Sequence, residues 1–157
     1  MKLLKKTAKI FLLIFVFLQF FNPDKNIEPG EHLVSFKNET NPSESTVEVL
    51  KSSCYNCHSN HTNYPWYNNI APLSFWMAND IRSGKEALNF SNWEAYTKEE
   101  KADLMEEISE AVYQGTMPKR SYLWFRPEAK ISESQKEDIT NWAKRTKVLF
   151  ELGPLPK

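Results

Sequence analysis

Cys54-Tyr55-Asn56-Cys57-His58 is the stretch on which the reading of this 157-residue chain turns. A Cys-x-x-Cys-His string is the signature of covalent haem attachment. Each thiol meets one vinyl group of the macrocycle, and the histidine beside the second cysteine lands under the iron as proximal ligand. Other uses of the same residues fit less well. Zinc sites separate a Cys pair from a His pair by roughly a dozen residues or more, whereas Cys57 and His58 are neighbours, with His61 close behind. Such crowding does not suit one tetrahedral ion. A redox-active dithiol needs a βαβ context, and no alternation of strand and helix surrounds position 54. Chance is a poor explanation, because these are the chain's two cysteines.

Working outward, the periodicity is helical. Residues 22–41 carry Asn, Pro, Glu and Gly without sustained period and read as a linker that includes His32. A helix is expected to open at Asn41, with Pro42 at its first position and Glu44 closing a capping box. It would run to about Ser53, turn Val47 and Leu50 inward, and deliver the chain to the cysteines. Residues 59–72 read as a loop. A second helix follows Pro72, with Leu73, Met77 and Ile81 in register and Gly84 near its end. Ser91 and Glu94 suggest another short one. The clearest helix is 98–114: Thr97 and Glu100 form a capping box, Leu104, Ile108, Ala111 and Val112 make a stripe, and Gly115 stops it. Residues 116–131 read as irregular. A last helix opens at Ser132 with Gln135 as box partner and places Ile139, Trp142 and Ala143 on one face. The fold class is therefore all-α: four or five short helices around one haem, with Trp142 near Val47 or Leu50.

The N-terminus is a targeting element. Lys2, Lys5, Lys6 and Lys9 precede the apolar run from Ile10 to Phe21, the layout of a positive n-region and an apolar h-region. Twelve residues make a helix of about 18 Å, short of the roughly 30 Å hydrocarbon core. No small-x-small cleavage site follows, and lysine stems can snorkel to lengthen the span. The expectation is an uncleaved membrane anchor over 1–21, a linker over 22–41 and a haem-binding domain over 42–157. The lysines would stay inside and the domain would lie on the periplasmic side of a bacterial cytoplasmic membrane.

Those four lysines meet no acid in residues 1–21, so a formal net charge of zero leaves −4 for the remainder. A mildly acidic domain argues against nucleic acid as a partner, since phosphate binding needs a clustered basic face. The aromatic fraction, 13%, is crowded between Tyr64 and Trp142, and such rings can wrap a flat apolar cofactor or simply fill a core.

A six-coordinate iron needs a second axial ligand opposite His58. His61, three residues further on, is tied to the same side of the macrocycle, and His32 lies on an unanchored linker that would have to be ordered. Met77 and Met105 fall with helical stripes and read as core. Met117 lies past the Gly115 stop, on no helical face, and is followed by Pro118, which stiffens the backbone there. It is the candidate sixth ligand, the alternative being a partly exposed loop methionine.

Residues 54–143 resemble the small exported haem-binding domain family of monohaem, cytochrome c-like proteins. The matching strings are Cys54 to Asn60, Tyr64-Pro65-Trp66-Tyr67, Ile70-Ala71-Pro72, Leu88 to Trp93, Gly115-Thr116-Met117-Pro118, Ser121 to Trp124, and Trp142. The resemblance implies one haem c bound covalently through Cys54 and Cys57, His58 as proximal ligand and Met117 as the matching Met-Pro methionine. Many members of that family carry His where Arg126 precedes Pro127, so no ligand role is carried over to that position.

Trp66, Tyr67, Trp76 and Trp124 are candidates for the haem wall, and a carbonyl in the Tyr64–Pro72 loop is the expected acceptor for the free N–H of His58. The function so expected is a membrane-tethered electron carrier, not an enzyme, meeting redox partner proteins through small transient contacts. The alternative is a gas or redox sensor, or a peroxidase-like domain, whose sixth position is open or displaceable.

Overall fold

The computed structural model describes residues 1–153, and among them the regular structure is entirely helical. Eight α-helices follow in order: α1 (Lys2–Leu18), α2 (Val34–Thr40), α3 (Glu44–Ser53), α4 (Tyr55–His58), α5 (Leu73–Ala87), α6 (Lys98–Tyr113), α7 (Arg120–Phe125) and α8 (Glu133–Leu152). Three 3₁₀ turns, Trp66–Asn69, Phe90–Ala95 and Pro127–Ala129, punctuate them. The all-α class is as expected. The number of helices exceeds four or five because several are a turn or two long, too short to write a period into the sequence.

The two long C-terminal helices form where their caps predict. Thr97 accepts from the Glu100 N–H at 3.2 Å while Glu100 accepts from Thr97 N at 2.7 Å, and Ser132 and Gln135 repeat the arrangement ahead of α8. These helices lie against each other, and Met105, Ile108 and Val112 of α6 meet Ile139, Trp142 and Ala143 of α8 in the core. Within α6 the buried stripe includes Ala102 and Met105, with Leu104 only partly covered.

The expected linker is partly structural. Asn41 does not open a helix; at φ 39° and ψ 57° it is the left-handed residue that closes α2. Ser43 instead caps α3, accepting from the Thr46 N–H at 3.2 Å. Helix α2 sends Phe36 into the core with no exposed surface, its ring 4.5 Å from Phe90, 5.0 Å from Trp93 and 6.0 Å from Trp142. The Trp142 indole N–H donates to the Thr40 carbonyl at 2.9 Å, joining α8 to the end of α2. Trp142 and Leu50 share this core, as expected, but Val49 rather than Val47 is the second fully inward residue of α3.

Two further segments differ from expectation. Ser91 is not a cap: Asn89 accepts from its N–H at 3.0 Å and opens the 3₁₀ turn, while Glu94 pairs with Ser35 of α2. Residues 120–129, read as irregular, hold α7 and a 3₁₀ turn. That short helix is kept by tertiary partners: Tyr122 accepts from the Asn56 side chain at 2.8 Å, and the Phe125 ring lies 5.1 Å from Tyr67.

Helix α1 covers 17 residues, buries none of them, and leaves Ile10 to Phe17 exposed. Among the described residues no helix is long and apolar enough to cross a membrane, so the expected spanning helix is not found as such; four lysines in its first half hold the apolar run short.

Candidate functional site

Helix α4 is one turn that carries both cysteines' neighbourhood and His58, and its position is set by α5. Gly84 sits inside α5 rather than ending it: a Cβ built there would lie 2.6 Å from the Cys57 carbonyl oxygen and 3.1 Å from the Cys57 Cβ. Only a residue without a side chain lets the two backbones approach so closely. The helix runs on to Ala87, and Leu88 follows as its C-cap.

That approach brings the Leu88 carbonyl to 3.1 Å from His58 Nδ1. A carbonyl oxygen can only accept, so Nδ1 carries the proton and Nε2 keeps its lone pair. The acceptor is therefore at the end of α5, not in the 64–72 loop as expected from the sequence. Burial lowers the His58 pKa, partly offset by the Leu88 and Gly84 carbonyls and reinforced by Lys119, so the imidazole is neutral. Cys54 and Cys57 are free thiols. Burial, then the proximity of Cys57, pushes the Cys54 thiol up to about 12. Burial and Asp80 raise Cys57 to about 11, with Lys119 pulling the other way.

His58 and Met117 line the same two cavities. One is walled by apolar side chains including Leu50, Phe90, Ile108, Val112 and Ile139, with Cys54 among its lining residues. The other has Cys57, Asp80, Gly84, Lys119 and Tyr122 around it. They are part-open clefts of about 140 and 90 Å³, smaller than the roughly 300–1,000 Å³ usual for a preformed small-molecule site. The loop carrying Met117 is tied down at both ends. Its N–H and that of Thr116 donate to the Ala111 carbonyl at 3.2 and 3.0 Å, and Lys119 pairs with Asp80 of α5 at 2.8 Å.

The remaining candidates are dispersed. Tyr67 and Trp76 line a third, smaller space of about 50 Å³, which touches Cys57 but not His58 and is shared with Met77, Phe125 and Arg126. Trp66 and Trp124 are each 76% exposed and border none of these cavities. Met105 is core, as expected; Met77 faces the third cavity instead. His61 Nδ1 and His32 Nε2 both approach the Glu28 carbonyl, at 3.4 and 2.8 Å, on the exposed side.

The model of the haem-binding domain family matches residues 13–145, most of the chain. The chain belongs to the haem-binding domain family. Comparison with curated proteins and with solved structures yields no match. As a haem-binding domain, it has residues that suit the group. A neutral imidazole with an oriented free nitrogen and a thioether sulfur border shared space, one thiol lines each of the two cavities, and the walls are apolar on the Cys54 side and carry Asp80 and Lys119 on the Cys57 side.

The strings of sequence around this site also hold one another. Asn60 donates its backbone N–H to Ser91 Oγ at 2.9 Å and accepts from the Asn89 side chain at 2.9 Å. The haem-binding domain thus braces the Cys54–Asn60 string against Leu88–Trp93. Asn26, from the expected linker, adds a second brace, donating to the Ser59 carbonyl at 2.8 Å and to Thr62 at 2.9 Å while accepting from Lys85 at 2.8 Å. The bracing and orienting roles of Gly84, Leu88, Asn60, Asn89 and Asn26 were not read from the sequence; Asn60, Leu88 and Asn89 stand in the strings that match the family and Gly84 near the end of α5, but Asn26 left no signal.

Proposed function

We propose that this haem-binding domain is a monohaem c-type cytochrome, tethered to the bacterial cytoplasmic membrane through α1 with the domain on its periplasmic side. In this reading it carries electrons between redox partner proteins and is not an enzyme. Cys54 and Cys57 would hold the haem through thioethers, and His58 Nε2 and Met117 Sδ would ligate its iron. When bound, the haem supplies a one-electron couple, and His/Met ligation favours the reduced form.

The observation that carries the reading is that His58 and Met117 border the same two cavities, with one cysteine at each. The chain's own residues do the rest. The Leu88 carbonyl fixes the imidazole tautomer, the Lys119–Asp80 pair and the Ala111 carbonyl hold the methionine loop, and the Leu50–Phe90–Val112 wall excludes water. Were His58 and Met117 both to hold the iron, no position would be left for a substrate, which would suit transfer of electrons alone.

The test is expression of the full chain in cells that mature c-type cytochromes, followed by mass and absorption spectra. Wild-type protein should retain the mass of one haem under denaturing conditions, and Cys54→Ser with Cys57→Ser should not. The oxidised protein should show a weak far-red band that Met117→Ala abolishes, and CO should leave the reduced spectrum nearly unchanged. A large CO shift in the wild type would replace the carrier reading with the sensor or peroxidase-like one.

A further inference from the structure

Residues 62–79 close a run of 28 consecutive positions, 52–79, without Asp, Glu, Lys or Arg in a chain that is 25% charged. Yet this segment is not wholly internal. Trp66 is 76% exposed, Phe75 38% and Trp76 37%. At its centre is Ala71, and there α1 is fastened. The Gln19 side chain accepts from the Ala71 N–H at 3.0 Å and donates to the Ala71 carbonyl at 3.2 Å. The residue that ends the apolar helix is thus clasped to the middle of the 62–79 segment, and Phe20 and Phe21 beside it are exposed as well.

We infer that the exposed aromatic face around Ala71, with Trp66, Phe75 and Trp76, rests in the headgroup region of the membrane. The inference relies on the tether reading for α1. Its 17 residues make about 25 Å of helix, several ångströms less than the roughly 30 Å hydrocarbon core. A tether that short does not cross the core, so its end stays at or below the acyl boundary, and Gln19 leaves no free chain between that end and the domain. The surface beside the clasp is therefore drawn down to the lipid. Trp and Tyr favour that zone because an apolar ring and a polar edge can each find their medium, and the absence of charge over 62–79 removes the desolvation that ionised side chains would suffer there. The rings continue inward: Trp66 lies 5.8 Å from Tyr67, Tyr67 5.1 Å from Phe125, and Phe125 5.9 Å from Trp76. Of these rings Tyr67, Trp76 and Phe125 also line the cavity that touches Cys57.

The experiment reconstitutes the full haem-loaded chain into phosphatidylcholine vesicles doped with phosphatidylcholine bearing a diazirine at the glycerol end of one acyl chain. After illumination, mass spectrometry maps the lipid adducts. The expected result is adducts on α1 and on the peptide spanning 62–79, with the Trp66→Ser, Phe75→Ser double variant losing the second set several-fold while keeping the first. Adducts on α1 alone would overturn the seating and leave the tether intact. Vesicles that float without the protein would overturn the tether and the seating with it. Crosslinks from 62–79 to another protein chain in place of lipid, or adducts there that survive the double variant, would also overturn the seating.

Discussion

Gly84→Ala sets two known effects against each other with opposite signs. In an unhindered helix interior, replacing glycine by alanine stabilises by about 0.5–1 kcal/mol, because the unfolded chain loses freedom and the helix gains its best former. At position 84 the new methyl would stand 2.6 Å from the Cys57 carbonyl oxygen and 3.1 Å from the carbonyl carbon. Relief needs a displacement of several tenths of an ångström between α4 and α5, and backbone cannot rotate away as a side-chain tip would. Forced insertion of a methyl into packed surroundings costs about 1–3 kcal/mol. Subtracting the helix gain leaves a net loss of up to about 2.5 kcal/mol, which for a chain of this size lowers Tm by up to about 10 °C. The assay is thermal unfolding by circular dichroism of the haem-loaded full chain, with the exposed neighbour Ser83→Ala as control. The same shift should move Leu88 relative to His58 and change the haem absorption of the folded protein. A Gly84→Ala protein that melts above wild type with an unaltered spectrum would refute the close-approach argument.

Phe36→Ala should destabilise the domain by about 3–5 kcal/mol, the usual effect of emptying a fully buried aromatic site; urea unfolding measures it, and a change below about 1 kcal/mol would return α2 to the role of linker. Trp142→Phe keeps most of the ring but leaves the Thr40 carbonyl without its 2.9 Å donor, so a loss of about 1–3 kcal/mol is expected in the same assay.

The helices with written caps were legible. Thr97–Glu100 and Ser132–Gln135 are local devices, complete within four residues, and α6 and α8 formed where they point. Asn41 shows why the neighbouring expectation failed. An Asn before a Pro fits a helix start, but Asn also tolerates the left-handed region, and here that second property closes α2. Helix α2 itself has seven residues and no side-chain cap; Phe36 buried among Phe90, Trp93 and Trp142 holds it, and no local pattern announces a partner some 55 to 106 positions away. Helix α7 is the same case, held by Asn56 and Tyr67 across the chain.

For the proposed site, Cys54, Cys57 and His58 stand out in the sequence because covalent attachment, as proposed, would need their chemistry in one contiguous string. What orients them was not, because a backbone carbonyl has no signature in a sequence. The Leu88 carbonyl at the end of α5 accepts from His58, so the acceptor belongs to the negative end of a 15-residue helix. An acceptor of that kind raises the basicity of the opposite ring nitrogen and cannot be deleted by changing its own side chain. It can be moved only by moving α5, whose distance from α4 is set by the missing side chain at 84. In the proposed reading, the strength of His58 as a ligand and the packing of the Cys54–His58 turn are then one mechanical quantity, and substitutions along the α4–α5 contact should change stability and haem spectrum together, whereas those on the outer face of α6 should change stability alone.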